Sequence, residues 1–304
     1  MYSTLLDSFC DRRVIDFQNA DSWEGPQVAY RLRQDYEDEV TTLDRLRELL
    51  KQPGVGELSA LIIGAWPGAC EGQEANEIVA ELTASAPQLP GLRDLFFGEM
   101  TVEECEVSWI NQADLTPLLK AFPQLKSLRV RGGNGLSFSQ TRHEALRELA
   151  IETGGLSSST IRDIFLCEFP ALEHLELLLG EANYGFDGGV EDLQPVLSGT
   201  LYPRLKFLGL MNSEIANDIA AVLVNSPIID RLEVIDLSMG NLDNEGIQSL
   251  TWLAKNTHLK QLNISHHYGS QEAVATLIKA VPFQVVADDR QEPEDEWRPI
   301  VHAE

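Results

Sequence analysis

One hydrophobic pattern recurs along the chain: L-x-x-L-x-L, in which x is any residue and Ile, Val or Phe replaces some of the leucines. The alternation within x-L-x-L is the period of a strand, so the leucines face one side and the intervening residues face the other. Successive copies begin 21 to 34 residues apart, about 29 on average. The eight copies begin at Leu58, Leu92, Leu125, Leu146, Leu172, Leu205, Leu232 and Leu259.

Between the copies, the hydrophobic residues change to helical spacing. Ile215, Ile219 and Leu223 recur on one helical face, and similar sets precede most of the other strands. Several of these predicted helices end just before a proline, which is an expected stop signal. Because no single unit can bury its leucine face alone, stacked neighbours would share one core. The pattern therefore predicts an α/β solenoid of about eight repeats, with a parallel β-sheet on the concave face and α-helices on the convex face.

The sequence resembles leucine-rich-repeat proteins, especially the horseshoe-shaped, ribonuclease-inhibitor-like type with a helix in every repeat. The stretch L-E-V-I-D-L-S-M-G-N-L-D-N-E-G-I, residues 232–247, carries the resemblance most clearly. The ninth repeat position, usually Asn or Cys in that family, is Gly240 in one unit and His267 in the next, which implies irregular curvature. The segment E-E-C-E-V-S-W-I, residues 103–110, also resembles an uncharacterised bacterial family of such proteins, which implies no activity.

The two ends do not follow the repeat. Residues 1–57 are expected to form an N-terminal cap, a hairpin of strands at 14–17 and 28–33 followed by a helix at 41–51. Residues 58–287 form the predicted solenoid. Residues 288–304 hold seven acids and two arginines and predict a solvated tail, unless Trp297 and Ile300 let it fold back onto the last unit.

Composition restricts the class of partner. The chain has 304 residues, with 23 Lys and Arg against 48 Asp and Glu, a net charge of −25. Such a chain repels nucleic acids and anionic membrane surfaces, so we expect neither as a partner. The start of the chain does not resemble a secretory signal, and four cysteines without a C-x-x-C pair fit reduced thiols. A cytoplasmic protein is the resulting expectation.

The outward positions of the strands predict a binding surface. Leu178, Phe207, Met211 and Val234 would form one exposed apolar patch, and Ile62 with Phe96 a second. The alternative is that these side chains are buried under a loop or in a dimer contact. The predicted partner-binding residues are Phe96, Trp109, Arg129, Arg131, His174, Glu176, Leu178, Phe207, Met211, Val234 and Asp236.

Two charged features leave alternatives open. Arg129 and Arg131 on one strand would hold a carboxylate or phosphate, or would instead neutralise glutamates on adjacent strands, namely Glu148, Glu152 and Glu176. The loop of residues 98–114 carries five acids, no basic residue and Trp109. A calcium site there lacks the EF-hand spacing, and acid clusters are usually solvated, so no metal is predicted.

No motif for catalysis is present. The sequence lacks G-x-S-x-G, Walker A, G-x-G-x-x-G and H-E-x-x-H patterns. We therefore expect a non-enzymatic protein without a cofactor, an adaptor or regulator that binds a partner protein through the concave sheet and the 98–114 loop. The negative charge of the chain favours a basic partner. The alternative is an enzyme or a small-anion binder with a site near Arg129, Arg131 and His174.

Overall fold

A computed structural model describes residues 2–35, 38–73, 75–256, 258–293, 295 and 297–303. The chain forms two compact units, residues 1–152 with 166–169, and residues 153–165 with 170–304. The strands are β1 Ser8–Phe9, β2 Arg12–Asp16, β3 Ala29–Leu32, β4 Ala60–Ile63, β5 Asp94–Phe97, β6 Ser127–Arg131, β7 Glu148–Glu152, β8 His174–Gly180, β9 Phe207–Ser213, β10 Val234–Asp236, β11 Gln261–Asn263 and β12 Gln284–Val286. The α-helices are α1 Thr42–Leu49, α2 Asn76–Ser85, α3 Thr116–Ala121, α4 Ser158–Leu166, α5 Val190–Leu197, α6 Ala216–Leu223, α7 Asn244–Leu250 and α8 Gln271–Ala280.

In each unit the strands pair in chain order. In the first unit β2 to β7 are parallel and β1 pairs with β2 antiparallel. In the second unit β8 to β12 are parallel throughout. The eight copies of the hydrophobic motif supply strands β4 to β11, and helices alternate with most of them. The predicted fold class, an α/β leucine-rich-repeat solenoid with a parallel sheet, is confirmed.

The fourth residue of each motif copy lies in the core. In the first unit these residues, which are Leu61, Leu95, Leu128 and Leu149, are at most 1% exposed. In the second unit Leu175, Leu208, Ile235 and Leu262 are 0% exposed. The register aligns them on neighbouring strands, so Leu208 pairs with both Leu175 and Ile235. Each leucine is therefore buried partly by the repeats on either side of it.

The ribonuclease-inhibitor-like type is not confirmed. Residues 132–147, between β6 and β7, are all described and contain no α-helix. This repeat is the shortest, with 21 residues between the starts of its motif and the next. The chain crosses from β6 to β7 with turns, bends and isolated bridges in place of a helix.

The predicted N-terminal hairpin is wrong in direction, and helix α1 lies within the range of residues 41–51 in which a helix is expected. Strands β2 and β3 run parallel, with Ile15 opposite Tyr30. The connection between them is long enough for a crossover and contains a short 3₁₀ turn, Ala20–Ser22. Helix α1 begins after Thr41, whose hydroxyl accepts a hydrogen bond from the Asp44 amide at 3.1 Å.

The acidic tail is not a freely solvated segment. Ile300 is 6% exposed and His302 is 5% exposed, both packed within the second unit, whereas Trp297 is 58% exposed. Of the two residues expected to allow folding back, Ile300 is therefore buried and Trp297 is not. No helix among the described residues is long and apolar enough to cross a membrane.

The expectation of four reduced cysteines is wrong for one pair. Cys70 and Cys105 form a disulfide between two neighbouring connecting loops of the first unit, and Cys10 and Cys167 are free. The sequence did not reveal the pair because its members are 35 residues apart and belong to no local motif. The disulfide anchors the 98–114 loop to the loop that follows β4.

Unfolding without reductant should expose two titratable thiols and not four. In a chain-entropy account, closing this loop stabilises the folded state by about 2–4 kcal/mol, so Cys70→Ser with Cys105→Ser should lower the free energy of unfolding by that amount. Thiol titration in denaturant and urea unfolding followed by circular dichroism measure the two quantities. Four titratable thiols in unreduced, aerobically purified protein would contradict the assignment.

Candidate functional site

The outward sheet face of the first unit is covered by the start of the chain. Phe9 packs against Phe96 with ring centroids 6.1 Å apart, and Ile62 belongs to the same cluster. Both Phe96 and Ile62 are 0% exposed. The expected exposed patch of Ile62 and Phe96 is therefore wrong, because residues 2–16 close this face of the sheet.

Buried ion pairs hold that N-terminal segment in place. The Arg31 guanidinium donates to Glu99 through Nε at 2.6 Å, to Asp16 through Nη1 at 2.8 Å and to the Leu6 carbonyl through Nη2 at 2.5 Å. Glu99 in turn accepts a hydrogen bond from the Leu6 amide at 2.6 Å. Burial alone would lower the pKa of Arg31, but its bonds to Glu99 and Asp16 outweigh burial and raise it. Glu99, one of the five acids of the 98–114 loop, is therefore buried and paired within the first unit.

The arginine pair on β6 is neutralised within the first unit. Arg131 donates from Nε to Glu152 at 2.7 Å, and Arg129 donates from Nη1 to the other oxygen of Glu152 at 2.5 Å. Arg131 is 4% exposed, and the ring of Tyr2 lies 3.5 Å from its guanidinium carbon. The alternative in which these arginines neutralise neighbouring glutamates is the one observed, and a bound anion would have to displace Glu152.

The same segment alters two titratable groups. Burial, together with the nearby carboxylates of Asp94 and Glu148, raises the pKa of the Cys10 thiol to about 12. Burial also raises the pKa of Asp94, although Arg12 donates to its carboxylate at 3.1 Å. A thiol with so high a pKa is a poor nucleophile, so Cys10 is a packing residue.

The second unit presents its outward face differently. Two rows of side chains cross its strands in register, one through His174, Phe207, Val234 and Gln261, the other through Glu176, Gly209, Asp236 and Asn263. Most of these side chains are partly exposed, and Asp236 is 9% exposed. We call this set without Gly209 the open strip; it comprises His174, Glu176, Phe207, Val234, Asp236, Gln261 and Asn263.

An aromatic stack lies at one end of the open strip. The rings of His174 and Phe207 are stacked, with centroids 3.8 Å apart and planes 10° from parallel. His174 Nε2 is 3.0 Å from the Glu176 carboxylate, which orients the imidazole. A Cβ at Gly209 would lie 3.2 Å from the Phe207 ring and 3.3 Å from Glu176, so glycine leaves the space between them open. The result is a rigid flat ring surface beside a carboxylate.

The other end of the strip is polar. Asp236 accepts a hydrogen bond from the Asn263 amide group at 2.9 Å, and its other oxygen accepts from the Ser238 backbone amide at 2.9 Å. Val234 stands between this pair and the stack, next to Phe207 and Gln261 in the register. The strip therefore combines one apolar centre with two carboxylates and polar amides.

Two residues of the expected apolar patch are not part of this surface. Leu178 is 2% exposed and Met211 is 6% exposed, although both alternate outward in the strand pattern. Strands β8 and β9 continue to Gly180 and Ser213, and the positions in this later part of both strands are buried. Of the predicted patch, only Phe207 and Val234 remain partly exposed.

The acidic loop is mostly engaged internally, but its tryptophan is not. Glu104 pairs with Arg33 at 3.0 Å, Glu99 is buried against Arg31, and Asp114 accepts a hydrogen bond from the Thr116 amide. Trp109 is 56% exposed. Among the predicted site residues of the first unit, Trp109 is thus the one that offers a large exposed apolar surface.

A protein from Bacteroides fragilis with a solved crystal structure is similar to this chain. The two share 32% sequence identity over 90% of this chain and 76% of that one, with a TM-score of 0.81. The chain belongs to the same family as that protein. This membership establishes the fold.

Two more distant likenesses concern proteins with repeats. The TLR13–ssRNA13 complex shares 14% identity, with 94% of this chain and 39% of that one covered and a TM-score of 0.39. An internalin from Listeria monocytogenes also shares 14% identity, with coverage of 86% and 67% and a TM-score of 0.32. At these scores neither carries an argument about this chain. The sequence matches no protein-family model and has no match among the curated proteins.

The Arg31–Glu99 pair should control whether residues 2–16 stay on the sheet. Glu99→Gln removes the negative charge that faces the buried Arg31 guanidinium. Breaking a buried ion pair in this way should lower the free energy of unfolding by about 3 kcal/mol. Urea unfolding followed by circular dichroism measures the change.

Glu81→Gln is the matched control. Glu81 pairs at 2.9 Å with Arg47, whose side chain is 52% exposed, so this change should have little effect on the free energy of unfolding. Equal losses for the two variants would show that burial does not strengthen the Arg31–Glu99 pair.

Proposed function

We propose that the chain is a non-enzymatic binding module that recognises a partner protein through the open strip of its second unit. The observation that carries the proposal is the difference between the two sheet faces. In the first unit that face is closed by residues 2–16, with Phe96 at 0% exposure. In the second unit the stacked His174 and Phe207 rings lie beside partly exposed Val234. Aromatic anchors on a rigid sheet are typical of binding hot spots.

The chemistry of the strip favours a basic partner. It contains two carboxylates, those of Glu176 and Asp236, and no lysine or arginine. A net charge of −25 would also speed encounter with a cationic surface and slow encounter with an anionic one. Phe207 and Val234 would supply affinity, while the carboxylates would fix the orientation of the partner.

In the first unit, the 98–114 loop offers a separate contact to a partner protein through Trp109. Its exposed indole is the kind of amphipathic side chain that interfaces favour. The disulfide between Cys70 and Cys105 tethers the loop, which reduces the ordering cost of a contact there.

An enzyme or anion site at the arginines is not proposed. Arg129 and Arg131 both pair with Glu152, Arg129 also pairs with Glu148, and Arg131 is buried. His174 belongs to the second unit and is engaged by Phe207 and Glu176.

The disulfide also bears on the cellular compartment of the protein. A cytoplasmic location was expected from the lack of a recognisable signal and of a disulfide framework. The Cys70–Cys105 disulfide argues for an oxidising compartment, because such bonds persist there and are rare in the reducing cytosol. We therefore do not propose a cytoplasmic location.

A double substitution, Phe207→Asp with Val234→Asp, tests the proposed surface. Partners captured by the wild-type chain from the organism that encodes it would be identified by mass spectrometry, purified and titrated against both proteins. Loss of two interface anchors should weaken binding at least about 30-fold, with the melting temperature unchanged because both positions are partly exposed.

The matched control places aspartate on exposed apolar side chains of the helical side. Trp252 is 71% exposed and Ile278 is 51% exposed, so Trp252→Asp with Ile278→Asp should bind like the wild type. Undiminished binding by the Phe207 and Val234 variant, or equal loss in the control, would refute the proposed surface.

A further inference from the structure

Three equivalent repeat positions of the second unit have an unusual backbone. Asn212, Met239 and His266 are spaced 27 residues apart, each eighth in its motif copy, and their φ angles are +49°, +68° and +59°. Positive φ is uncommon in residues other than glycine and costs free energy, so its recurrence at one repeat position points to a shared role.

All three positions contact one short segment of the chain. His266 Nε2 lies 3.2 Å from the Pro299 carbonyl oxygen, and the Met239 carbonyl accepts a hydrogen bond from the Val301 amide at 3.0 Å. Asn212 accepts from the His302 amide at 2.8 Å and donates to the His302 carbonyl at 2.6 Å. The segment therefore crosses successive repeats as non-helical chain with a bend at Val301, and it makes at least one contact to each repeat.

The contacts made by these three positions are to backbone groups of residues 299–302. The Asn212 side chain binds both backbone groups of one residue, as a neighbouring strand would. Tyr268 donates a further hydrogen bond to the Pro299 carbonyl at 2.7 Å. Such contacts hold any extended chain, so they do not depend on the sequence of the segment.

Two side-chain positions add selectivity. Ile300 is 6% exposed and lies between the residues that make the backbone contacts. Arg298 Nη1 lies 2.8 Å from the Asp243 carboxylate. A segment that fits therefore has a basic residue, an extended backbone favoured by proline, and an aliphatic residue two positions after the basic one.

We propose that Asn212, Met239 and His266 form a docking groove for an extended segment of a partner protein, with a basic residue followed two positions later by an aliphatic one. Residues 298–302 occupy this groove in cis and compete with the partner. The groove lies near the end of β9 and just beyond β10 and β11, whereas the open strip lies on the strands themselves, so the proposal is separate from the proposed function.

Cis occupancy has a measurable consequence. A segment tethered nearby acts at an effective concentration on the order of mM, so it weakens a competing peptide without being strongly bound itself. A partner would displace it when further contacts elsewhere on the chain add to its affinity.

The experiment uses the whole chain with a protease site inserted after Glu292, which is exposed. The probe is a fluorescent peptide, Trp297–Ala303, whose binding is followed by polarisation before and after cleavage. The cut chain should bind the peptide saturably and at least about tenfold more tightly than the uncut chain. A peptide carrying Ile300→Asp should not bind.

Asn212→Asp keeps the acceptor for His302 but replaces the donor with a carboxylate oxygen, so it should weaken peptide binding to the cut chain about tenfold. Asn225→Asp, at an exposed asparagine, is the matched control and should bind normally. Phe207→Asp with Val234→Asp should also bind the peptide normally, which separates this test from that of the open strip.

Three results would overturn the proposal. One is a folded, cut chain that does not bind the peptide. The second is equal binding by the cut and uncut chains. The third is loss of the cooperative melting transition on cleavage, because that would assign residues 298–302 to the core of the unit.

Discussion

The burial of one leucine per repeat is the constraint on which the rest of the structure depends. Full burial of such a side chain stabilises the fold by roughly 1.5–3 kcal/mol, and the fourth motif residues are at most 1% exposed. Each leucine needs neighbours on adjacent strands, which fixes the parallel register. Once Leu208 is aligned with Ile235, Phe207 must stand beside Val234 on the opposite face. The alignment of the buried leucines thus determines which side chains are neighbours on the outward face of the sheet.

What happens to that face then depends on which segment can cover it. In the first unit, Phe96 and Arg131 find partners in Phe9 and Tyr2, so an apolar and cationic surface becomes interior. In the second unit, residues 298–302 contact the ends of the strands and leave the open strip partly exposed. A similar strand pattern therefore gives a covered sheet in one unit and a candidate binding surface in the other.

The strands and helices were predictable because their periods are local in sequence. The fates of individual outward residues were not, because they depend on distant segments: the Leu6 amide meets Glu99 across 93 positions, and Asn212 meets His302 across 90. The Cys70–Cys105 pair escaped prediction for the same reason. Neutralisation of Arg129 and Arg131 was foreseeable as an alternative, since Glu152 lies on the adjacent predicted strand, opposite Arg131 in the register.

Hydroxyl-radical footprinting of the isolated chain, read by mass spectrometry, measures most directly whether one sheet face is covered and the other open. Phe207 should be oxidised several times faster than Phe96, and Trp252 on the helical side gives the reactivity of a well-exposed ring. Addition of a purified partner should then protect Phe207 and leave Trp252 unchanged. Equal oxidation of Phe96 and Phe207 in the free chain would contradict the account.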